Sequence, residues 1–385
     1  MYSQVDVAIA GAGPAGAVAA LVLARAGVKV QLFDRAVFPR KKLCGDTVNP
    51  GAVAILQRLE LSDRLRPLCF LLGGMLVTGL YGVAVKGRYK GNGKSCQGWS
   101  ITRHELDAGL VKAAVDAGAK FDEKIKVRGP IIDEGTDGVR VGGLIIDSQN
   151  GQPLQVRARV TIAADGRRSV LGSSLGLTQL TKKPRRWAVG SYFSGVDSLS
   201  DLGEMHIRCN HYVGVSPVPG GLANVCVVSS VRDRFAHPEA LVREVIASDS
   251  SLRDRFAKAQ LVGPVTLLGP MAMDVSSVGV PGLLLAGDAA GFVDPITGDG
   301  IRFALRGGEL AARAALMTLA TGNLESHRHL ASWRVSEFGY KYKFNRAIRL
   351  LVSAKLGVTA GSLGAAMVPA VLRRAINYAG DIYVN

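Results

Sequence analysis

Val5-Asp6-Val7-Ala8-Ile9-Ala10-Gly11-Ala12-Gly13-Pro14-Ala15-Gly16 is the stretch that decides the fold. Val5 to Ala10 reads as a short buried strand, the glycines follow at once, and Ala17 to Ala26 reads as an alanine- and leucine-rich helix stopping at Gly27. Val28 to Phe33 is a second apolar strand that ends at Asp34 and Arg35. These elements make a βαβ unit in which Gly11 forms the tight turn, Gly13 admits a pyrophosphate to the backbone, and Gly16 allows close helix–strand packing, with Ala15 between them. The helix N-terminus offers free amide donors and a positive dipole end to phosphate. Asp34 stands where a carboxylate accepts from a ribose hydroxyl.

Two further pieces extend the pattern. Val160 to Asp165 is an apolar strand ending in the turn Gly166-Arg167-Arg168-Ser169, where Asp165 either caps the next helix or helps hold the dinucleotide. Gly282 to Ala286 reads as another buried strand, followed by Gly287 and Asp288, with Asp288 positioned for a ribitol hydroxyl. After the Pro295 turn, Gly298, Asp299, Gly300 and Ile301 open a helix through Leu305 to Ala315. Amides at that helix start suit the negative charge that develops around N1 of a reduced flavin, and glycines let the backbone approach the ring. Three pieces in this order describe one site, built from distant segments around one FAD molecule.

Composition bounds the rest. The chain has 385 residues, 48% of them hydrophobic, enough for two or three domains. Five scattered cysteines, without Cys-x-x-Cys or Cys/His clustering, point to a reducing compartment and to no bound metal. A strand beginning at Val5 leaves no room for a signal peptide, so a cytoplasmic protein is expected. The net charge of +16 lacks any nucleic-acid module to explain it, and nucleic acid is not expected as a partner. The basic clusters are Arg40-Lys41-Lys42, Lys182-Lys183-Pro184-Arg185-Arg186, and the tail residues Lys341, Lys343, Arg346, Arg349, Lys355, Arg373 and Arg374, each read as a solvated face. Leu356 to Leu372 carries no charge until the tail arginines but is too short and too rich in glycine and alanine to span a bilayer. Ordinary packing is its first reading and contact with a membrane surface its second.

Because the three pieces must meet at one ligand, residues 1–75, 100–175 and 275–325 are expected to form a discontinuous Rossmann-like FAD-binding domain. Residues 76–99 and 176–274 form a second, α+β substrate domain, whose segments Trp187 to Phe193, Glu204 to Arg208, Tyr212 to Val218 and Leu222 to Ser229 read as strands of an antiparallel sheet. Residues 326–385 form a helical tail. The fold class is α/β, and the oligomeric state is not legible.

With these pieces in place, most of the chain resembles the flavoprotein superfamily that contains para-hydroxybenzoate hydroxylase and, more closely, the geranylgeranyl reductase family. Phe38-Pro39-Arg40-Lys41-Lys42-Leu43-Cys44-Gly45-Asp46 resembles that family's segment after the second strand, and Gly291 to Ile301 its flavin-ring segment. Arg103, in Thr102-Arg103-His104-Glu105-Leu106-Asp107, resembles the arginine that the family directs to FAD. The resemblance implies that Cys44 and Gly45 lie near the flavin, with the Cys44 thiol as a proton donor or a pocket wall. The family's Tyr-x-Trp-x-Phe-Pro motif, which lines an isoprenoid cavity, corresponds here to Tyr212-Val213-Gly214-Val215-Ser216-Pro217, which keeps only the tyrosine and proline. Tyr212 is therefore a second candidate for cavity lining or proton donation. The Trp-x-Trp-x-Ile-Pro motif of flavin-dependent halogenases is missing, and halogenation is not expected. The expected function is FAD-dependent reduction of a carbon–carbon double bond in a hydrophobic, isoprenoid-like substrate, with NADPH or NADH as donor. The alternative is hydroxylation of an aromatic or polyketide-like molecule. His206, His211, His327 and His329 show no ligand spacing and read as ordinary polar residues.

Overall fold

The computed structural model describes residues 4–91, 94–135, 138–148, 151–181 and 185–382. Lys182, Lys183 and Pro184 of the second basic cluster lie outside them.

The strand Val5–Ala10 is central to the first sheet. It runs parallel to Val30–Phe33 on one side, with Val7 opposite Val30, and to Pro153–Ala163 on the other, with Val7 opposite Val160. Lys120–Asp122 extends the sheet beyond Val30–Phe33, and Leu283–Leu285 lies parallel to the end of Pro153–Ala163. All these strands point the same way, so their carboxyl ends share one edge. Gly11, Asp34, Asp165 and Gly287 are carried to that edge from positions far apart in the sequence. Pro153–Ala163 is longer than its apolar end announced, because its first half pairs antiparallel with the hairpin Val127–Gly135 and Gly138–Asp147.

The first helix, Pro14–Arg25, begins three residues before the expected Ala17. Proline at the first helical position has its φ preset and lacks only an amide that would be orphaned anyway. Nearly all of this helix is buried, between the sheet and the helices Arg103–Asp116 and Gly300–Thr321, which is why it has no polar face. Small residues make the packing possible: a Cβ on Gly308 would lie 2.3 Å from the Ala15 carbonyl oxygen, so these two helices touch backbone to backbone.

The second sheet has seven strands, in the order Gln260–Leu268, Trp187–Ser194, Leu222–Ser229, His211–Val218, Leu202–Ile207, Gly74–Thr78 and Ala84–Arg88. The expected antiparallel pattern holds except where Leu202–Ile207 runs parallel to Gly74–Thr78. Its outer face is covered by Pro238–Ser248, with Val242 and Val245 packed on Val189, Val213 and Val225.

The tail forms the helices Ser326–Leu351, Lys355–Met367 and Pro369–Ala379, and among the described residues no single helix is long and apolar enough to cross a bilayer. The reading of its cations as a solvated face needs correction at two positions. Lys341 is buried against Asp299 at 3.3 Å and Asp381 at 3.0 Å, and Arg349 approaches Asp294. From the other clusters, Arg186 is buried 2.8 Å from Asp294, and Arg40 bridges Asp34 and Asp107. Part of the positive charge therefore answers buried carboxylates, a pairing that composition does not reveal.

Candidate active site

One cavity of about 840 Å³ runs along the carboxyl edge of the first sheet and on between the second sheet and the tail helices. Except for Gly16, every residue expected to hold the cofactor lines it: Gly11, Gly13, Ala15, Asp34, Arg35, Cys44, Gly45, Arg103, Asp165, Gly287, Asp288, Pro295, Gly298, Gly300 and Ile301. Gly16 sits under the turn, where an added Cβ would fall 1.9 Å from the Gly11 carbonyl oxygen. Gly11 has φ +95°, and its missing Cβ would meet Ala164 at 2.4 Å, so this turn needs glycine on both conformational and steric grounds.

The end nearest the glycine turn is built for an anion. The helix Pro14–Arg25 has no side-chain cap and no acid in its first turn, so its leading amides are left for a ligand. A Cβ on Gly13 would stand 3.2 Å from Arg40 Nη2 and 4.0 Å from Arg103 Nη2, which places two guanidinium groups over bare backbone. Arg103 is buried and donates to Asp107 through Nε at 2.7 Å and Nη2 at 2.8 Å. Lys42 lies beside these cations, and burial together with Arg103 and Arg40 lowers its pKa to about 8, against the pull of Asp288 and Asp107. Bound phosphate would relieve that crowding of positive charge. Asp34, expected to accept from a ribose hydroxyl, here accepts from the amides of Ala12 at 2.8 Å and Ala36 at 2.9 Å and so fixes the glycine turn. Asp165 caps the following helix by accepting from the Val170 amide at 2.8 Å, while its Oδ1 is buried without a hydrogen-bond partner. At the far end of the cradle, Gly300–Thr321 also starts without a side-chain cap or an acid in its first turn. Two uncapped helix starts, bare glycines and paired guanidiniums fit an elongated, phosphate-bearing dinucleotide such as FAD.

Beyond the cradle, the turn Cys44-Gly45-Asp46 is clamped from the second sheet. Asn224 donates to the Cys44 carbonyl at 2.8 Å and to Asp46 Oδ2 at 2.7 Å, and the Tyr192 hydroxyl donates to the same carboxylate at 2.6 Å. Burial raises the Asp46 pKa to about 6 in spite of these donors, and its Oδ1 has no partner. Burial likewise raises Cys44, with Arg103 opposing and Asp46 adding, so that a half-buried thiol keeps its proton at neutral pH. Tyr212 is buried and lines the cavity, but its hydroxyl donates to Asp294 at 2.6 Å, in a group that includes Arg186 and Ser353. Burial and the Asp294 charge push its pKa far up. The proton on Tyr212 is thus engaged by Asp294, whereas Cys44 lines the cavity with its thiol protonated.

Sequence reasoning missed Asp46, Tyr192 and Asn224. Asp46 was the last residue of a recognised segment, and nothing local distinguished it. Tyr192 and Asn224 lie on inner faces of strands whose period-two pattern reads only as core. His206 is fully buried between Thr78 and Glu204, and serves the second sheet instead of the cavity.

Comparison with known proteins adds to this geometry. A family model described as "FAD binding domain" matches residues 4–323. The chain is 32% identical over 334 residues to the menaquinone reductase of Mycolicibacterium smegmatis, which covers 83% of this chain and 77% of that protein. It is 30% identical over 337 residues to the digeranylgeranylglycerophospholipid reductase of Methanosarcina mazei, covering 84% of this chain and 78% of the other. Among solved structures, a geranylgeranyl bacteriochlorophyll reductase-like protein from Thermoplasma acidophilum superposes with a TM-score of 0.80 at 23% identity, over 93% of this chain and 90% of that one. A flavin-dependent brominase superposes with a TM-score of 0.84 at 20% identity, over 99% and 95%. At these identities the structural likeness is one of fold.

Proposed function

The chain belongs to the FAD-binding-domain family and is an FAD-dependent oxidoreductase, and on that premise we propose that it reduces a carbon–carbon double bond in the isoprenoid portion of a hydrophobic substrate. The observation that carries this reading is the continuation of the cofactor cavity into an apolar space walled by Met75, Val77, Met205, Ile207, Val228 and Ile348. A hydrocarbon chain is the ligand such a wall favours. Small residues at Gly214 and Ser216, where the related motif carries aromatics, widen the space for a bulkier head or a folded tail. The reductase names of the relatives support the same chemistry for this chain.

Bound and reduced FAD supplies a hydride. The chain's own groups supply the rest. With FAD bound, Arg40, Arg103, Lys42 and the free amides at the start of Pro14–Arg25 would hold the pyrophosphate, Asp288 and Asp165 would accept from sugar hydroxyls, and the uncapped start of Gly300–Thr321 would stabilise negative charge on the reduced ring. Cys44, a protonated thiol in the cavity wall, would give its proton to the carbon that takes no hydride. Asn224 and Tyr192 fix the turn that aims this thiol. The apolar lining excludes water from the reacting region. NADPH or NADH is the proposed donor.

Incubation of the FAD-loaded protein with a polyprenyl quinone or polyprenyl lipid and a reductant, followed by mass spectrometry, tests the proposal. A gain of two hydrogens per turnover is expected. A gain of one oxygen overturns it in favour of hydroxylation.

A further inference from the structure

The helix Lys355–Met367 separates the apolar cavity from solvent and is apolar on both sides. Val358, Gly361 and Ala365 on its inner side line the cavity. On its outer side Leu356, Ala360, Leu363 and Met367 fall at helical spacing on one stripe, with Leu356 83% and Met367 81% exposed. The stripe continues through exposed Val368 and Val371 at the start of Pro369–Ala379. A wall one helix thick that is apolar on both sides and solvent-exposed on the outer one calls for an apolar neighbour outside.

Charge identifies the neighbour. No Asp or Glu occurs between Glu337 and Asp381, while Lys343, Arg346, Lys355, Arg373 and Arg374 are exposed around the stripe. A second copy of the chain docked symmetrically would set these cations against themselves. An anionic bilayer presents hydrocarbon to the stripe and phosphate to its rim.

We propose that the surface formed by Lys355–Met367 and the start of Pro369–Ala379 docks on an anionic lipid bilayer, so that the isoprenoid substrate enters the cavity past this helix directly from the membrane. The route of entry rests on the reductase reading above; the docking itself does not. Leu356, Met367, Arg373 and Arg374 are outside the cavity lining, so substitutions there leave the cofactor cradle intact.

The test is flotation of the full-length, FAD-loaded protein with phosphatidylcholine vesicles, with and without phosphatidylglycerol. Binding is expected only with phosphatidylglycerol, and both Leu356→Glu/Met367→Glu and Arg373→Glu/Arg374→Glu should lower it by about tenfold or more. Retained flavin absorbance shows that the variants are folded. Absence of binding, or binding that neither pair of substitutions weakens, overturns the proposal. So does a dimer in solution that Leu356→Glu/Met367→Glu dissociates, which would assign the stripe to a second copy. Because flotation needs no turnover, docking that holds while the product gains oxygen refutes the reductase reading alone.

Discussion

At the glycine end of the cavity the walls are mostly backbone: bare turns at Gly11, Gly13 and Gly287, and two helix starts whose amides have no side-chain cap. At the apolar end they are side chains drawn from the second sheet and a tail helix, including Met75, Met205, Val228 and Ile348. The first end recognises charge through groups every residue possesses, so it depends on which side chains are missing. The second depends on which are present, and can vary without loss of the cofactor. This division lets a single cradle serve different substrates, and it predicts which substitutions abolish everything and which alter only the reaction.

The largest effect is expected at the cradle. Gly11→Ala forces a Cβ to within 2.4 Å of Ala164 at a φ of +95°. Its cost of about 3 kcal/mol or more should appear as loss of both stability and bound FAD, in denaturant titration and flavin absorbance. A stable variant with a full FAD complement would refute the backbone account. Arg103→Ala comes next, because it strips Asp107, fully buried, of its bidentate partner and leaves only Arg40. About 3 kcal/mol of stability should go, with a matching loss of FAD affinity measured by fluorescence. Unchanged affinity would remove Arg103 from the anion site.

At the border between the two ends, Cys44→Ala and Tyr212→Phe form a discriminating pair. Cys44→Ala should retain FAD and lower kcat about a hundredfold. Tyr212→Phe loses a hydrogen bond to Asp294, costing about 1 kcal/mol of stability, and should change kcat by less than about tenfold. The reverse ranking would make Tyr212 the proton donor.

The effect confined to a pH profile concerns Asp46, whose folded pKa of about 6 exceeds the ordinary 3.8. Between these values the unfolded chain is ionised while the folded protein keeps the proton. Stability therefore falls as pH rises from about 4 to about 6 and levels off above that. Asp46→Asn, which tolerates the local φ of +53°, should flatten that decline, worth roughly 2–3 kcal/mol, in melting curves collected across the window. A variant with the parent's pH profile would show that Asp46 titrates normally.

Much of the cradle was legible because its determinants are local. Gly11 to Gly16, Asp165 and Gly287-Asp288 each end a strand, and strand and turn are readable within a dozen residues. The clamp on Cys44 was not, because Tyr192 and Asn224 reach it from about 150 and 180 residues away, on strands patterned like any buried sheet. The tail misled in a different way. Lys341 belongs to a run of surface-like cations, yet it is buried by Asp299 and Asp381, which flank it at distances of about 40 residues.

The sequence by itself determined the βαβ unit, the order of the nucleotide pieces, FAD as the cofactor and the family resemblance, because glycine turns and strand ends act over short range. Only the tertiary structure decided that Cys44 lines the cavity as a protonated thiol while the proton of Tyr212 is taken by Asp294, and that a helix apolar on both faces closes the apolar end of the cavity. Those properties depend on burial and on partners brought together by sheet topology, and neither is encoded in any one stretch of chain.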